Sequence, residues 1–449
     1  MMKLLFLTTL NSAIDKEHVF TRNVWKGLCQ KFDREEDGNE LVVASVFLDA
    51  HSSEPFITES TYDGKHYYHL HLSASLSEEG LVEALAKLIR YIKPTIIHSN
   101  MVEALDVVAA KQCGIPIVLT IHIGRFMCPR SGGNGLLKHN DTICDTAVGK
   151  HCFKCCSQDF PLPWFSHLLY RLTPTSLKEW AYHKLKGKQI FYLTQFLVRS
   201  HDVVQRQQAV EIYKYATVIA ANHRLKEILA LNGLTDNVIL LPHGVHPRPK
   251  LPLPEIRDKV KFYFLGRIQY GKGLHNLLQA FEGIDNSFYE LHIIGDAESR
   301  RSLQAYKARV VDMAKGKNVI FHGEIPNVDL ESVIKDMHVM IHPGNVMEVY
   351  GLTIAESLSI GRPVLATRCG GSEMQIQDGI NGWLVAPNDV AALHNKIVDI
   401  IQHKEQIATL SNNCTLPHPL PEYIDSLMAL YRNKWAEDVN KASKSVYKD

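Results

Sequence analysis

A segment rich in glycine and positive charge, GRIQYGKG at residues 266–273, contains the side chains best suited to bind a phosphate group. Its glycines let the backbone approach an anion closely. The planar guanidinium of Arg267 can hold two phosphate oxygens, and Lys272 adds a compact positive charge. The spacing differs from that of a Walker loop, G-x-x-x-x-G-K-[ST]. The segment therefore predicts a phosphate-binding loop, with an ordinary glycine-rich turn as the alternative.

A second segment, HPGNVMEVYGLTIAE at residues 342–356, places two glutamates on either side of a Gly-Leu pair. A helix that begins near Gly351 or Leu352 would present free N–H groups to a phosphate. Glu356 would then lie within this helix and Glu348 in the loop before it, so the two carboxylates could contact different parts of one ligand. The alternative is that neither glutamate binds a ligand. Glu348 would then face solvent, and Glu356 would lie in the first turn because the helix dipole favours a carboxylate there.

Both segments follow strands in a half of the chain that alternates strands and helices. Parallel α/β sheets bind ligands where the carboxyl ends of strands meet the N-termini of helices. Gly295 ends another strand of this series and is expected at the same edge. The predicted strands are residues 262–266, 291–295, 319–322, 339–342 and 363–367.

The first half of the chain shows the same alternation, and a cluster of prolines separates the two halves. Its predicted strands are residues 3–8, 41–48, 95–98, 117–121, 217–221 and 238–241. Four prolines between Pro247 and Pro254 cannot continue a helix or a central strand. The sequence therefore predicts an α/β protein with two Rossmann-like domains. They are residues 1–246 and 257–418, with a linker at 247–256 and a C-terminal helix and tail at 419–449.

Taken together, these motifs resemble the donor half of the family 4 glycosyltransferases, which have the GT-B fold. The family pattern includes G-R-x-x-x-x-K-G, E-x(7)-E around G-L, G-R-P-V and N-G-x-L-V. The chain carries these motifs in order between about residues 217 and 402, at 266–273, 348–356, 361–364 and 381–385, with P-x-G-V at 242–245. The resemblance implies two Rossmann-like domains that face a cleft, and a C-terminal helix that crosses back onto the first domain.

The resemblance also implies a retaining glycosyltransferase that moves a sugar from a nucleoside diphosphate sugar, of the UDP or GDP type, to a glycan or lipid-linked acceptor. Its product would belong to a surface polysaccharide or glycoconjugate. Arg267 and Lys272 would hold the donor diphosphate, Glu356 the ribose, and Glu348 the sugar. The other donor-binding residues that the resemblance implies are Gly266, Gly295, Tyr350, Gly351, Leu352 and Thr353. Because the sequence has no D-x-D motif to hold a divalent ion, we expect transfer to need no metal.

The first half departs from the family pattern at two places. The loop at residues 8–13 has no glycine where the family often has Gly-Gly, and the family's His-Asp pair is His122-Ile123 here. These departures keep a second function open, a catalytically inactive donor-binding subunit that scaffolds a partner glycosyltransferase. A sugar-nucleotide epimerase of the same fold is disfavoured by the Arg–Lys loop and the two glutamates. The catalytic residues that the resemblance implies are His122, Arg267, Lys272 and Glu348, with a purely structural His122 as the alternative.

Five of the nine cysteines crowd between Cys128 and Cys156, directly after His122. A Cys-x-x-Cys pair with two outlying cysteines can form a tetrahedral zinc site, and a subset of family 4 enzymes looks similar here. We expect a structural zinc ion in a Cys-rich insertion at about residues 124–160. Disulfides, which are rare in a reducing compartment, and free thiols are the competing interpretations. The expected ligands are Cys128, Cys144, Cys152 and Cys155, with Cys156 as an alternative to Cys155.

The composition narrows the function classes. Lys plus Arg number 49 and Asp plus Glu number 48, a net charge of +1, which argues against a nucleic-acid-binding protein. No apolar run has the length of a membrane helix, and the first residues are too short for a secretory signal, so we expect a cytoplasmic protein. Aromatic and basic residues at 161–188 fit either a peripheral contact with the inner face of the membrane or packing on the core.

Overall fold

The computed structural model divides the chain into two compact units. The first unit comprises Met1–His122, Val204–Gly244 and Pro419–Asp449, and the second comprises Ile123–Val203 and Val245–His418. The structure describes residues 1–9, 19–35, 38–49, 52, 54–62, 65–73, 76–100, 104–122, 128, 136, 138, 142–158, 162–174, 176–178, 180, 184, 203, 205–326 and 329–446.

The first unit contains an eight-stranded sheet in the order β3-β4-β2-β1-β5-β6-β7-β8. All neighbouring strands are parallel except β3 and β4, which form an antiparallel hairpin. The central strands consist almost entirely of buried apolar residues, as a sheet covered on both faces requires. The strands are β1 (Lys3–Thr9), β2 (Glu40–Asp49), β3 (Phe56–Tyr62), β4 (Lys65–Ser73), β5 (Ile96–Ser99), β6 (Ile117–Thr120), β7 (Thr217–Ala220) and β8 (Val238–Leu240).

Helices cover this sheet, and the last helix of the chain packs on α1 and β5. On that last helix Tyr423, Leu427 and Tyr431 recur at a spacing of four and are fully buried, so they form one apolar face. The Tyr431 hydroxyl bonds to His98 Nδ1 on β5, which ties the helix to the middle of the sheet. The helices of this unit are α1 (Val19–Arg34), α2 (Glu78–Ile92), α3 (Ala104–Gln112), α6 (His223–Leu231) and α13 (Leu420–Val446).

The second unit contains a six-stranded, fully parallel sheet in the order β11-β10-β9-β12-β13-β14. The chain order reverses next to β9, so the loops after β9 and β12 emerge side by side at the carboxyl edge. Such a switch point is the usual ligand site of an open α/β sheet. The strands are β9 (Val260–Leu265), β10 (Tyr289–Ile294), β11 (Val319–Gly323), β12 (Val339–His342), β13 (Val364–Thr367) and β14 (Gly382–Val385).

Helices again connect the strands, and a short 3₁₀ helix, Tyr270–Lys272, follows β9. The buried Arg362 donates to the carbonyls of Leu251, Pro252 and Lys335, so this arginine fixes the proline-rich segment to the second unit. The helices of the second unit are α4 (Lys150–Ser157), α5 (Pro163–Leu172), α7 (Leu274–Ala280), α8 (Arg301–Met313), α9 (Leu330–Ile334), α10 (Leu352–Ser359), α11 (Val390–Gln402) and α12 (Gln406–Asn413).

The predicted α/β class and the two Rossmann-like sheets are confirmed. The sequence did not reveal the hairpin β3–β4, because its outer strand is largely exposed and lacks the buried apolar pattern of the other strands. Parts of the predicted Cys-rich insertion at 124–160 lie outside the described residues, namely 124–127, 129–135, 137, 139–141 and 159–160.

Candidate functional site

The loops after β9 and β12 bring a lysine and a glutamate into direct contact. Lys272, the last residue of the 3₁₀ helix, places its Nζ 2.5 Å from Glu348 Oε2. Both side chains are about one-fifth exposed, at 21% each, so the ion pair lies at the rim of the sheet edge and is open to a ligand. The two residues are separated by 76 positions in the chain.

The backbone holds this pair in place by crossing close to itself. Gly273 has a φ of 69°, and a Cβ on it would lie 1.8 Å from the carbonyl oxygen of Pro343. Only glycine fits there, and the fit fixes the 3₁₀ helix against the loop after β12. That loop is held in turn by Glu348, whose N–H donates to Cys369 O at 2.8 Å and whose carbonyl accepts from Gly371 N at 2.9 Å.

The surroundings of Glu348 keep it ionised. Burial alone would raise the pKa of this carboxyl, but the charge of Lys272, with a smaller contribution from Arg267, holds the pKa below its ordinary value. His342 closes the cluster from the end of β12, with Nε2 at 3.7 Å from Glu348 Oε2. The site therefore contains a carboxylate that is paired with Lys272 and lies near a buried imidazole.

Helix α10 begins at Leu352, where the sequence predicts it, and its N-terminus faces the same loop. Its N-cap residue is Gly351, with a φ of 84°, and no described side chain caps the terminus. The first N–H groups of the helix are therefore able to bind an anion. Tyr350 is buried ahead of the helix and Thr353 lies in its first turn.

Glu356 lies one turn further along α10 and pairs with an arginine from the proline-rich segment. Arg248 Nη2 is 3.7 Å from Glu356 Oε1. The Arg248 backbone is held to the same helix, because its N–H donates to Ser359 Oγ at 3.1 Å. Burial raises the pKa of Glu356, and the charge of Arg248 partly offsets the rise.

Arg267 lies apart from the Lys272–Glu348 pair. Its side chain is 65% exposed, and Nη1 donates to Glu298 Oε1 at 3.0 Å. Gly266 and Gly295 lie in contact beneath it, since a Cβ on Gly295 would be 2.0 Å from Gly266 O. Glu298 thus holds the Arg267 guanidinium at the surface, where the side chain is exposed to a ligand.

His122 follows β6 in the first unit. Its Nε2 lies 2.8 Å from Asn100 Oδ1, and since an amide oxygen only accepts, Nε2 carries the proton of this bond. The ring also packs edge-on against Phe20 at 5.6 Å and next to His243 at 5.5 Å. His122 is therefore held in one orientation at the carboxyl edge of its sheet.

The structure has no disulfide among the nine cysteines, all of which lie in the described part. Burial, with smaller contributions from the expected partner thiols Cys144, Cys128 and Cys155, raises the pKa of Cys152 to about 11. In the part of the chain that the structure describes, no group of three or more His, Cys, Asp or Glu is arranged to hold a metal ion. The zinc site therefore stays a prediction.

Several residues of this site were not identified from the sequence. Arg248 was assigned only to the linker, and no role was predicted for Gln375, which donates to the carbonyls of Tyr350, Gly351 and Gly371. The amide of Asn345 is buried without a hydrogen-bond partner among the described residues. The run of His342, Asn345 and Glu348 in one short loop is the only sequence signal that pointed to these polar groups.

The second unit matches a known protein family. Residues 250–415 match the family model described as Glycosyl transferases group 1. The chain is 28% identical over 175 residues to the D-rhamnosyltransferase WbpZ of Pseudomonas aeruginosa, which is 37% of this chain and 44% of that protein. It is 23% identical over 298 residues to the O-antigen chain mannosyltransferase C of Escherichia coli, 61% of this chain and 75% of that protein.

The described part of the chain has the GT-B fold of several solved structures. One of them is Alr3699/HepE of Anabaena in complex with UDP, with a TM-score of 0.63, 14% identity, and coverage of 96% of this chain and 100% of that chain. The chain spans 37 to 55% of the length of the first three curated relatives. The family match thus concerns the unit that carries Lys272 and Glu348, and the structural match concerns the fold.

Proposed function

Because residues 250–415 form a group 1 glycosyltransferase domain in a chain of the GT-B fold, we propose that the protein is a retaining glycosyltransferase. It moves a hexose-type sugar from a nucleoside diphosphate sugar to a glycan or lipid-linked acceptor of a surface polysaccharide or glycoconjugate. The observation that carries the proposal is the meeting of Lys272, Glu348 and the uncapped N-terminus of α10 at one sheet edge. The cation and the free N–H groups can bind a diphosphate, and the carboxylate can accept hydrogen bonds from the hydroxyls of the attached sugar.

The donor replaces ion pairs that the protein makes in its absence. The diphosphate takes the Lys272 ammonium from Glu348 and the Arg267 guanidinium from Glu298, and its outer oxygens accept from the N-terminus of α10. Glu348 is then released toward the sugar hydroxyls. Glu356, which Arg248 holds in place, accepts from the ribose hydroxyls.

These contacts favour a transition state in which the leaving diphosphate gains charge. Two cations and a helix N-terminus stabilise that charge without a divalent ion. The acceptor oxygen bonds to the anomeric carbon from the face that the diphosphate leaves, the bond from that carbon to the diphosphate breaks, and the acceptor proton passes to the departing phosphate oxygen, so the configuration is retained and no glycosyl-enzyme forms. This mechanism differs from that of retaining glycosidases, in which a carboxylate acts as the nucleophile.

Thermal-shift measurements with UDP, GDP, ADP and their sugars test the donor site. We expect one base to raise the melting temperature, and Glu356→Gln to weaken that effect, whereas Glu331→Gln, a control on α9, should not. Stabilisation by none of the nucleotides would contradict the proposal. Slow hydrolysis of the bound nucleotide sugar distinguishes an enzyme from the alternative, an inactive donor-binding subunit.

A surface around α5 supports a membrane-linked acceptor. Trp164, Leu172 and Trp180 are 69%, 72% and 55% exposed, and Leu162, Phe165, Leu168 and Leu177 are exposed as well. The described residues of this segment include the cations Arg171, Lys178 and Lys184. Apolar side chains with a basic surround are typical of proteins that bind the interface of an anionic bilayer.

Vesicle sedimentation tests this part of the proposal. We expect binding to phosphatidylcholine vesicles that contain about one-third phosphatidylglycerol, weaker binding to pure phosphatidylcholine, and loss of binding at high salt. Trp164→Ala with Trp180→Ala should reduce binding, whereas Phe288→Ala, at a similarly exposed aromatic residue elsewhere, should not. Equal binding of both variants would show that the α5 surface is not the contact.

A further inference from the structure

His342 is a buried imidazole without a hydrogen bond. It ends β12, it is 1% exposed, and neither ring nitrogen has a partner among the described residues. Buried polar side chains are nearly always partnered, because an unpaired donor or acceptor loses its bonds to water on folding. An unpartnered imidazole at the end of the strand that precedes the Glu348 loop points to a hydrogen bond that forms only when the ligand binds.

Three side chains with titratable groups face this imidazole. Glu348 is at 3.7 Å, and Lys272 is in turn bonded to Glu348. Cys369 lies in the same neighbourhood, since a Cβ on Gly344 would be 3.0 Å from His342 Cε1 and 3.8 Å from Cys369 Sγ. Burial raises the pKa of the Cys369 thiol, so it stays protonated near neutral pH and does not compete as a proton acceptor.

In the donor-free protein the imidazole is neutral. Burial, with the positive charge of Lys272, lowers the pKa of His342 to about 4, while the charge of Glu348 acts in the opposite direction. The charges in the cluster are therefore positive on Lys272, negative on Glu348 and zero on His342. Glu348 has a cationic partner only as long as Lys272 remains beside it.

We propose that His342 takes up a proton when the donor binds, and that it then replaces Lys272 as the cationic partner of Glu348. This inference rests on the proposed function, in which the diphosphate takes the Lys272 ammonium. One proton moves from solvent to the His342 ring, where Nε2–H donates to Glu348 Oε2, and no other bond forms or breaks. Glu348, which is one-fifth exposed, connects the ring to solvent. Release of the nucleotide reverses the step.

Moving one charge near His342 changes its pKa enough to affect its protonation. A unit charge about 4 Å away, at an effective dielectric constant of about 20, changes a pKa by roughly 3. Burial is the main cause of the low pKa of His342, and Lys272 and Glu348 act on it in opposite directions, so drawing the Lys272 ammonium away while Glu348 stays in place raises this pKa above about 4. His342 acts here as a positioning residue, because it keeps the sugar-facing carboxylate ionised and anchored while the donor is bound.

Isothermal titration calorimetry in buffers of different ionisation enthalpy counts this proton. The ligand is whichever of UDP-glucose and GDP-mannose raises the melting temperature, because their diphosphates do not titrate near pH 6. We expect uptake of about half a proton or more per donor at pH 6, and a donor affinity that weakens about five- to tenfold between pH 5.5 and 7.5. His342→Gln should abolish the uptake and flatten the pH dependence.

A second histidine next to the same strand supplies the matched control. His338 precedes β12, and burial lowers its pKa to about 4 also, but its Nδ1 accepts from the backbone N–H of Lys261 and does not face Glu348. His338→Gln should leave the proton uptake unchanged, and His342→Leu serves where His342→Gln lowers stability. Binding without proton uptake by the wild type would overturn this inference alone. Failure of both sugar nucleotides to bind would overturn the proposed function and this inference with it.

Discussion

At the residue scale, the ion pairs of the donor-free protein explain why Lys272 and Arg267 should differ. Lys272→Ala removes a charge from the transition state and also leaves the largely buried Glu348 without its cation. We expect kcat to fall on the order of 100- to 1000-fold. Arg267 is mostly exposed, so Arg267→Ala should lower kcat strongly with little loss of stability. Kinetics and melting temperatures of both variants check this.

A control for Arg267 is its present partner. Glu298→Gln releases the guanidinium without changing the size of the side chain at position 298. Its kcat should equal or exceed that of the wild type. An unchanged kcat in Lys272→Ala or Arg267→Ala would contradict the role of the two cations.

The two glutamates should separate binding from catalysis. Glu356 contacts Arg248 and is expected to meet the ribose, a part of the donor that does not react, so Glu356→Gln should mainly raise KM. Glu348 is expected to meet the sugar, so Glu348→Gln should mainly lower kcat. Steady-state kinetics with one accepted donor distinguish these effects. The reverse pattern, or a sugar covalently attached to Glu348, would exclude the assignment.

The motifs located the strand ends and the helix start, because glycine, proline and charge patterns reflect local backbone requirements. They did not reveal that Lys272 bonds to Glu348, nor that Arg248 reaches Glu356, because each pair joins distant parts of the chain across a sheet edge. His342 and Asn345 were missed for a related reason, since only burial shows that their polar atoms lack partners.

At the element scale, the contact between the 3₁₀ helix and the loop after β12 depends on Gly273. A Cβ there would meet Pro343 O at 1.8 Å, so Gly273→Ala must push the loops apart and move Lys272 from Glu348. We expect a loss of about 3 kcal/mol or more in the free energy of unfolding, together with weaker donor binding. Denaturant unfolding and calorimetry measure the two effects.

Gly283→Ala is the matched control for this substitution. Gly283 has a similar φ of 78°, but nothing lies within 4 Å of the place where its Cβ would be. It should cost only the conformational strain, about 1 kcal/mol, and leave donor binding unchanged. Equal losses in both variants would show that the contact with Pro343 has no particular effect.

The cysteine segment before and within α4 keeps the zinc prediction testable. Cys128, Cys144 and Cys155 contribute to the raised pKa of Cys152. A zinc ion bound by the sulfurs would stabilise their thiolate forms and so favour their deprotonation. We expect about one zinc per chain after purification without chelator, and less in Cys152→Ser. Metal-free, folded and reduced protein in elemental analysis would exclude the site.

At the scale of the whole molecule, buried neutral histidines set the response of stability to acid. Burial lowers the pKa of His98 in the first unit to about 3, and the pKa values of His338 and His342 in the second unit to about 4. Unfolded histidines titrate near 6.5, so between about pH 6.5 and 4 the unfolded chain binds more protons than the folded chain. Stability must therefore fall as the pH falls through this window.

The magnitude is large enough to measure in each unit. A histidine whose pKa drops from 6.5 to about 4 on folding lowers the free energy of unfolding by about 2 kcal/mol between pH 7 and pH 5. In a unit of this size that corresponds to a melting temperature lower by roughly 4–8 °C. Calorimetric scans at pH 7, 6 and 5 should show this fall, and His342→Leu should reduce it, because that variant has one buried proton acceptor fewer. A melting temperature that stays constant from pH 7 to pH 5 would mean that these imidazoles are already charged in the folded protein. That result would contradict the assignment of a neutral His342 to the site without donor.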